Sequence, residues 1–165
     1  ALREVCGRTG MEWVVIRPPL VYGPHAPGNF ARLVRWMARG VPLPLGAVHN
    51  RRTLVAIDNL VDLIVTCLHS EAAAGQLFLA GDGESLSTPE LLRIVAQARG
   101  RHARLLPVPV VLLRAAATLV GRSADAERLC GSLEIDIGKA RRLLGWAPPV
   151  SASDALRRAA AESAS

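Results

Sequence analysis

The stretch Trp13-Val14-Val15-Ile16-Arg17-Pro18-Pro19-Leu20-Val21-Tyr22-Gly23-Pro24 decides the predicted fold of this chain. It opens with an unbroken β-branched and aromatic run, which is typical of a strand buried on both faces in a parallel sheet. Proline cannot donate to a sheet ladder, so the strand is expected to end at Arg17. Ligands of open α/β sheets bind beyond the carboxyl ends of such strands. The loop predicted over residues 18–30 is therefore a first candidate for a site, although two prolines alone would indicate only the end of a core strand.

Short apolar strands alternate with amphipathic helices along the rest of the chain, which indicates an α/β fold. Further strands are predicted at residues 53–57, 76–80 and 105–108, and helices at 29–39, 110–120, 124–130, 136–144 and 153–162. Asp58 is expected to cap a helix whose apolar face consists of Leu60, Val61, Ile64, Val65 and Leu68. The sequence Ser87-Thr88-Pro89-Glu90 predicts a capping box at the start of another helix.

The composition describes a folded protein of single-domain size. Half of the 165 residues are hydrophobic and 21% are charged, which excludes a disordered chain. Cys6, Cys67 and Cys130 share no disulfide or metal spacing, so free thiols in a reducing cytoplasm are expected. The four histidines likewise show no metal-ligand spacing.

The net charge of +6 is carried almost entirely by arginine, because Lys139 is the one lysine. The arginines are scattered and lie in no nucleic-acid-binding motif, so a few of them meeting a diphosphate is the favoured interpretation. The longest apolar stretch, 108–120, contains Pro109 and Arg114 and is shorter than the roughly 20 residues that span a bilayer. It predicts a buried or interfacial helix and no membrane span.

The opening stretch, Asn29-Phe30 and the segment Arg51-Arg52-Thr53-Leu54-Val55-Ala56-Ile57-Asp58-Asn59-Leu60-Val61-Asp62 together resemble the C-terminal half of an extended short-chain dehydrogenase/reductase. Within the NAD-dependent epimerase/dehydratase family, they resemble bacterial UDP-sugar 4-epimerases and 4-ketoreductases of surface-polysaccharide pathways. The resemblance implies the last part of a Rossmann-like parallel sheet, at 1–23 and 61–83. It implies a small, mostly helical substrate lobe at 24–60 and 84–165.

Two motifs of that family are missing from this sequence. There is no Gly-x-x-Gly-x-x-Gly turn, and the single tyrosine, Tyr22, lies too far from Lys139 to form the family's Tyr-x-x-x-Lys pair on one helix face. We therefore expect that the N-terminal cofactor-binding half is absent, that no catalytic residue is present and that the chain alone is inactive. A non-catalytic nucleotide-binding regulatory module would lack the same motifs.

The resemblance also assigns binding roles to individual residues. Pro18 and Pro19 would touch NAD or NADP, held mainly by the missing half. Leu20 stands where the family commonly has an asparagine that holds the sugar diphosphate. The alternative role for Leu20 is packing in the hydrophobic core. The remaining assignments are Asn29 and Phe30 to the nucleotide, Leu43, Pro44 and Leu45 to the uracil, Arg52 to the diphosphate and Arg128 as a second phosphate-binding arginine. Without the resemblance, Asn29 would be a plain helix N-cap and Arg52 a surface arginine.

The partner implied for the intact protein is a UDP-sugar, and the resemblance also allows a homodimer. No nucleic-acid partner is expected. A steroid- or flavonoid-type reductase is an alternative on the same scaffold, but a hydrophobic substrate would give an arginine at position 52 no role.

Overall fold

Strands and helices alternate along the chain in the computed structural model, which describes residues 2–24, 29–119 and 121–162. The strands are β1 (Val14–Arg17), β2 (Leu20–Tyr22), β3 (Arg52–Ala56), β4 (Gln76–Leu79) and β5 (Ser85–Leu86). The helices are α1 (Leu2–Thr9), α2 (Asn29–Arg39), α3 (Ile57–His69), α4 (Thr88–Ala98), α5 (Val110–Leu119), α6 (Ser123–Cys130), α7 (Gly138–Leu144) and α8 (Ala152–Glu162). The predicted α/β class is confirmed.

The strands form two small sheets. In the first, β1 pairs in parallel with β4, with Val14 opposite Gln76. In the second, β3 lies between β2, which is parallel to it, and β5, which is antiparallel. The prediction that β1 is buried on both faces is wrong, because its residues are half-buried or exposed and β4 is its one neighbour among the described strands.

The prediction of a continuous loop over residues 18–30 is also wrong, because β2 begins directly after the two prolines. The sequence Leu20-Val21-Tyr22 has strong β propensity of its own and pairs with Leu54, Val55 and Ala56. The prolines thus end one strand and lead the chain into the second sheet. The strand predicted at 105–108 is reduced to a single bridge between Leu43 and Leu105.

Two apolar clusters hold the sheets and helices together. The first lies around the second sheet and includes Tyr22, Phe30, Val34, Leu92 and Leu156. The second lies around β4 and includes Val55, Leu63, Phe78, Ile137 and Trp146.

Lys139 joins α7 to the first sheet. Its Nζ donates to the Leu77 carbonyl at 3.0 Å and lies 5.3 Å from the centre of the Phe78 ring. The lysine is therefore structural in this chain.

Contacts cross the predicted division of the chain into two domains, one formed by residues 1–23 and 61–83 and the other by 24–60 and 84–165. α7 of the second predicted domain packs on β4 of the first, and β2 of the first pairs with β3 of the second. That division stays a prediction.

Helix α3 buries a different face from the predicted one. Its buried residues are Asn59, Leu63 and Cys67, whereas Val61 and Leu68 are 50% and 78% exposed. The helix is apolar on two sides, and hydrogen bonds from the Asn59 amide to Asp82 and to the Val150 carbonyl fix which side turns inward. Asp58 does not cap α3, because the N-cap residue is Ala56, whose own side chain makes no capping hydrogen bond. Asp58 pairs instead with Arg158 at 3.3 Å.

The exposed apolar side of α3 and the edge of β1 that pairs with none of the described strands lead to a prediction about the isolated chain. Exposed apolar surface and open strand edges promote association, so we expect the 165-residue chain to self-associate at micromolar concentration. The double substitution Val61→Gln with Leu68→Gln should reduce the association, as measured by sedimentation velocity, and change the free energy of unfolding by less than about 1 kcal/mol because both side chains are exposed. A monomeric wild-type chain over this range would contradict the prediction.

Candidate functional site

A cavity of about 650 Å³ lies between the second sheet and helices α2, α4, α5 and α6. Its volume falls in the range of small-molecule binding sites. Seven of the residues assigned from the sequence line it: Leu20, Phe30, Leu43, Pro44, Leu45, Arg52 and Arg128. Residues more than one hundred positions apart in sequence thus meet around one space.

The other assigned residues lie elsewhere. Asn29 is the first residue of α2, next to Phe30, and its side chain lies outside the described part of the structure. Pro18 and Pro19 follow the carboxyl end of β1 and do not line the cavity; Pro18 is exposed and Pro19 half-buried.

Strand geometry directs Arg52 into the cavity. Side chains of successive residues in an extended backbone point to opposite sides, and Arg51, the residue before β3, pairs with Glu134 on the outer surface, with Nε 3.1 Å from Oε1. Arg52 is half-buried and opposite Leu86 of β5, which also lines the cavity. Two adjacent arginines therefore occupy different environments.

Backbone hydrogen bonds hold the segment Leu43-Pro44-Leu45 along one wall. The Leu43 N–H donates to the Arg104 carbonyl at 2.9 Å, and the Leu106 N–H donates to the Leu43 carbonyl at 2.8 Å. A Cβ atom at Gly46 would lie 3.0 Å from the backbone of Leu105 and Leu106, so a larger residue there would press on this contact. The wall is thus an extended, fixed apolar segment.

Sequence reasoning missed several lining residues. The spacing of Phe30, Leu33, Val34 and Met37 predicts the apolar face of α2, and Trp36 is not part of it. Leu113, Ala117 and Arg122 come from α5 and the residues after it. Arg122 lies in no sequence motif that would have identified it as a site residue. Thr88 lies at the capping box, which the structure confirms through the reciprocal Ser87 and Glu90 hydrogen bonds.

Asn50 joins two walls of the cavity and was also missed. Its amide donates to Thr88 Oγ1 at 3.0 Å and to the Gly131 carbonyl at 3.0 Å, and its oxygen accepts from the Thr88 N–H at 2.9 Å. Thr88 Oγ1 in turn donates to the Leu129 carbonyl at 2.7 Å. These bonds tie the start of α4 to the end of α6, which carries Arg128.

The cavity is electrostatically suited to an anion. Arg52, Arg122 and Arg128 line it, and no aspartate or glutamate is among the described residues that do so. Guanidinium groups match phosphate oxygens in geometry and charge. Apolar walls lower the screening of such contacts. A ligand with both an apolar ring and a phosphate group fits this lining.

Tyr22, at the cavity floor, is a structural residue. Its hydroxyl donates to Asp82 Oδ2 at 2.7 Å and to the Ala152 carbonyl at 3.2 Å, and the residue is almost fully buried. Burial, and next the neighbouring Asp82 carboxylate, raise the pKa of Tyr22 well above its usual value. The two hydrogen bonds and the burial of the ring fit a structural role for Tyr22.

Comparison with known proteins shows which proteins the chain is related to. It is 43% identical over 153 residues to a UDP-glucose 4-epimerase from Vibrio cholerae, across 92% of this chain and 47% of that protein. The chain is a relative of the UDP-sugar 4-epimerases. It spans about half the length of this relative, consistent with the C-terminal part of an extended short-chain dehydrogenase/reductase. No family model matches it.

Solved structures show the same fold. A UDP-glucose 4-epimerase from Thermotoga maritima with UDP-glucose superimposes with a TM-score of 0.70 at 19% identity, over 98% of this chain and 48% of that one. A UDP-glucuronic acid 4-epimerase from Bacillus cereus in complex with NAD gives a TM-score of 0.71 at 22% identity, also over 98% and 48%. The resemblance to the Rossmann-fold epimerases is confirmed.

The described residues fit only one edge of a site for such a cofactor. Pro18 and Pro19 offer a rigid apolar surface at the carboxyl end of β1. The sequence has no glycine-rich turn through which backbone N–H groups could hold the cofactor's pyrophosphate. Neither proline lines the cavity described above, whereas the next residue, Leu20, does. Among the described helices, none is long and apolar enough to cross a membrane.

Proposed function

We propose that this chain is the nucleotide-sugar-binding half of an NAD(P)-dependent UDP-hexose 4-epimerase or 4-ketoreductase. The observation that carries the proposal is the single cavity around which Arg52, Arg128 and the wall Leu43-Pro44-Leu45 meet. A diphosphate next to a pyrimidine ring requires this combination of cations and apolar surface.

In the proposed complex, Arg52 binds the diphosphate through its planar fork and Arg128 provides a second cation. The wall Leu43-Pro44-Leu45 lies along the uracil, and Phe30 packs against the nucleotide at the start of α2. Asn29 contributes the N-terminal end of that helix, where unpaired N–H groups and the helix dipole favour phosphate. Leu20 closes the cavity with an apolar contact.

The chemistry of the intact protein would depend on residues outside this chain. Bound NAD(P) would supply the hydride acceptor or donor for C4 of the sugar. Pro18 and Pro19 would form an apolar edge beneath the nicotinamide, and segments 1–23 and 61–83 would complete the cofactor-binding domain. Tyr22 would not act as the acid or base of the reaction, since its hydroxyl is bonded to Asp82. Its role is to bind and orient the substrate, and epimerisation and ketoreduction would use the same binding site.

The two alternatives fit less well. A steroid- or flavonoid-type substrate would offer Arg52 no phosphate group to bind. A non-catalytic nucleotide-binding module would share the cavity, and the presence or absence of a Tyr-x-x-x-Lys pair in the adjoining coding sequence distinguishes it from the enzyme.

The proposal predicts binding without turnover. By calorimetry the chain should bind UDP, and should bind uridine at least about tenfold more weakly because uridine lacks the phosphates. With UDP-sugars and NAD(P)H it should give no epimerase or reductase product. Equal affinity for UDP and uridine would contradict the diphosphate site. Turnover by the purified chain would contradict its assignment as the non-catalytic half.

A further inference from the structure

A buried amide connects the two chain segments that carry Arg52 and Arg128. Asn50 precedes Arg52 by two residues and is 4% exposed. Its amide donates to the carbonyls of Leu129 and Gly131 at 3.2 Å and 3.0 Å, and both of these residues follow Arg128 closely in the sequence. Asn50 is not among the residues that line the cavity, so it can act on a ligand only through the residues that it holds.

The backbone extends the same connection beyond Asn50. The Thr53 N–H donates to the Leu133 carbonyl at 2.9 Å, and the Leu133 N–H donates to the Arg51 carbonyl at 2.8 Å. Arg52 and Leu133 are therefore bridge partners. The residues after α6 are thus held against the start of β3, and the Asn50 side chain makes the part of this connection that lies nearest to α6 in sequence.

Thr88 joins the start of α4 to the same network. Its N–H donates to the Asn50 oxygen, and its Oγ1 accepts from the Asn50 amide and donates to the Leu129 carbonyl. Asn50 and Thr88 are both buried, and a buried polar group that loses its partner costs free energy. A shift of the end of α6 would break several of these bonds together, so the network holds that end in one position.

We propose that Asn50 is a positioning residue, which fixes the place of Arg128 relative to Arg52 and thereby sets the preference of the cavity for a diphosphate. A diphosphate presents two anionic groups at a fixed spacing, and hydrogen bonds to them weaken steeply when distance or angle is lost. A displaced Arg128 would bind its phosphate poorly, whereas the apolar wall at 43–45 would keep its own backbone bonds. The inference rests on the proposed function and deepens it.

Calorimetric titration of UDP and of uridine into the 165-residue chain and its variants tests the proposal. Asn50→Ala should weaken UDP binding by roughly tenfold and uridine binding by less than about twofold, because uridine has no phosphate for Arg128 to bind. Thr88→Val keeps the shape of the side chain without its hydroxyl and should act in the same direction. Thr88→Ser keeps the hydroxyl and should retain the wild-type preference for UDP within about twofold.

A double-mutant comparison separates positioning from an independent contribution to binding. Arg128→Ala alone should weaken UDP binding by roughly tenfold. If Asn50 acts through Arg128, adding Asn50→Ala to Arg128→Ala should weaken UDP binding by no more than about twofold further, because the interaction that Asn50 supports is already gone. A further tenfold loss in the double variant would overturn the proposal.

Asn59→Ala is the matched control for loss of a buried asparagine. Asn59 is fully buried, and its amide donates to Asp82 and to the Val150 carbonyl, away from Arg128 in the sequence. Asn59→Ala should lower the melting temperature at least as much as Asn50→Ala and leave the ratio of UDP to uridine affinity within twofold of wild type. An equal fall of this ratio in both variants would show that lost stability, and not the position of Arg128, explains the effect.

The proposed function and this inference fail in different ways. If the wild-type chain does not prefer UDP to uridine, the diphosphate site is absent and both are wrong. If the wild type prefers UDP and Asn50→Ala keeps that preference, the positioning role alone is wrong. Thermal unfolding followed by circular dichroism should show each variant folded at the titration temperature. If Asn50→Ala is not folded there, the contrast between Thr88→Val and Thr88→Ser decides, and equal preferences in those two variants would overturn the positioning role.

Discussion

Replacement of Arg52 by alanine should weaken UDP binding by roughly ten- to a hundredfold, because a charge-assisted contact to phosphate contributes about 1.5–3 kcal/mol. Arg52 lines the cavity from the first position of β3. Arg52→Lys should restore only part of the affinity, since an ammonium keeps the charge and loses the planar fork. Calorimetric titration of UDP into the wild type and each variant measures these differences.

The neighbouring arginine provides the control. Arg51 points to the other side of β3 and its salt bridge to Glu134 is exposed, so Arg51→Ala should change UDP affinity by less than about twofold. The two variants remove the same charge from adjacent positions, so a general effect of net charge would appear in both. Equal UDP affinities for the wild type and Arg52→Ala would rule out Arg52 as the diphosphate-binding residue.

Much of the fold could be predicted from the sequence because its signals are local. The spacing of Phe30, Val34 and Met37 predicted a helix over residues 29–39, and α2 has the same bounds. The capping box at Ser87 correctly predicted where α4 begins. Each of these signals depends on residues within one or two turns of chain.

The errors occurred where distant residues decide the structure. The apolar pattern of α3 could not show which of its two apolar sides is buried, because the choice depends on Asp82 and Val150, far along the chain. β2 was missed because its pairing partner, β3, lies thirty positions away. Arg122 and Trp36 reach the cavity only through the packing of α2, α5 and α6. No periodicity within the chain could have placed them there.

Asp82 illustrates this long-range dependence, and its loss should have the largest effect on stability. It follows β4 and is buried. Its Oδ1 accepts from the Ala56 N–H at 2.8 Å and from the Asn59 amide at 2.7 Å, and its Oδ2 accepts from the Tyr22 hydroxyl at 2.7 Å. One carboxylate thus joins β2, the end of β3 and α3 directly beneath the cavity.

Asp82→Ala should lower the free energy of unfolding by about 3 kcal/mol or more, because each buried donor left without a partner costs about 1–3 kcal/mol. The Tyr22 hydroxyl keeps a second acceptor, the Ala152 carbonyl, whereas the Ala56 N–H and the Asn59 amide N–H that faces Asp82 both lose theirs. Tyr22→Phe removes one donor and preserves the ring contact with Phe30, and should cost about 1 kcal/mol. Urea denaturation of each variant measures these differences.

Glu134→Ala is the matched control for Asp82→Ala, because it also removes one carboxylate but breaks only the exposed pair with Arg51, which should cost less than about 1 kcal/mol. If Asp82→Ala does not fold, Tyr22→Phe still measures the network. Because Tyr22 also lines the cavity, that variant should bind UDP within about threefold of wild type if the ring alone is needed there. A loss of stability in Asp82→Ala no greater than that in Glu134→Ala would show that the buried carboxylate does not hold β2, β3 and α3 together.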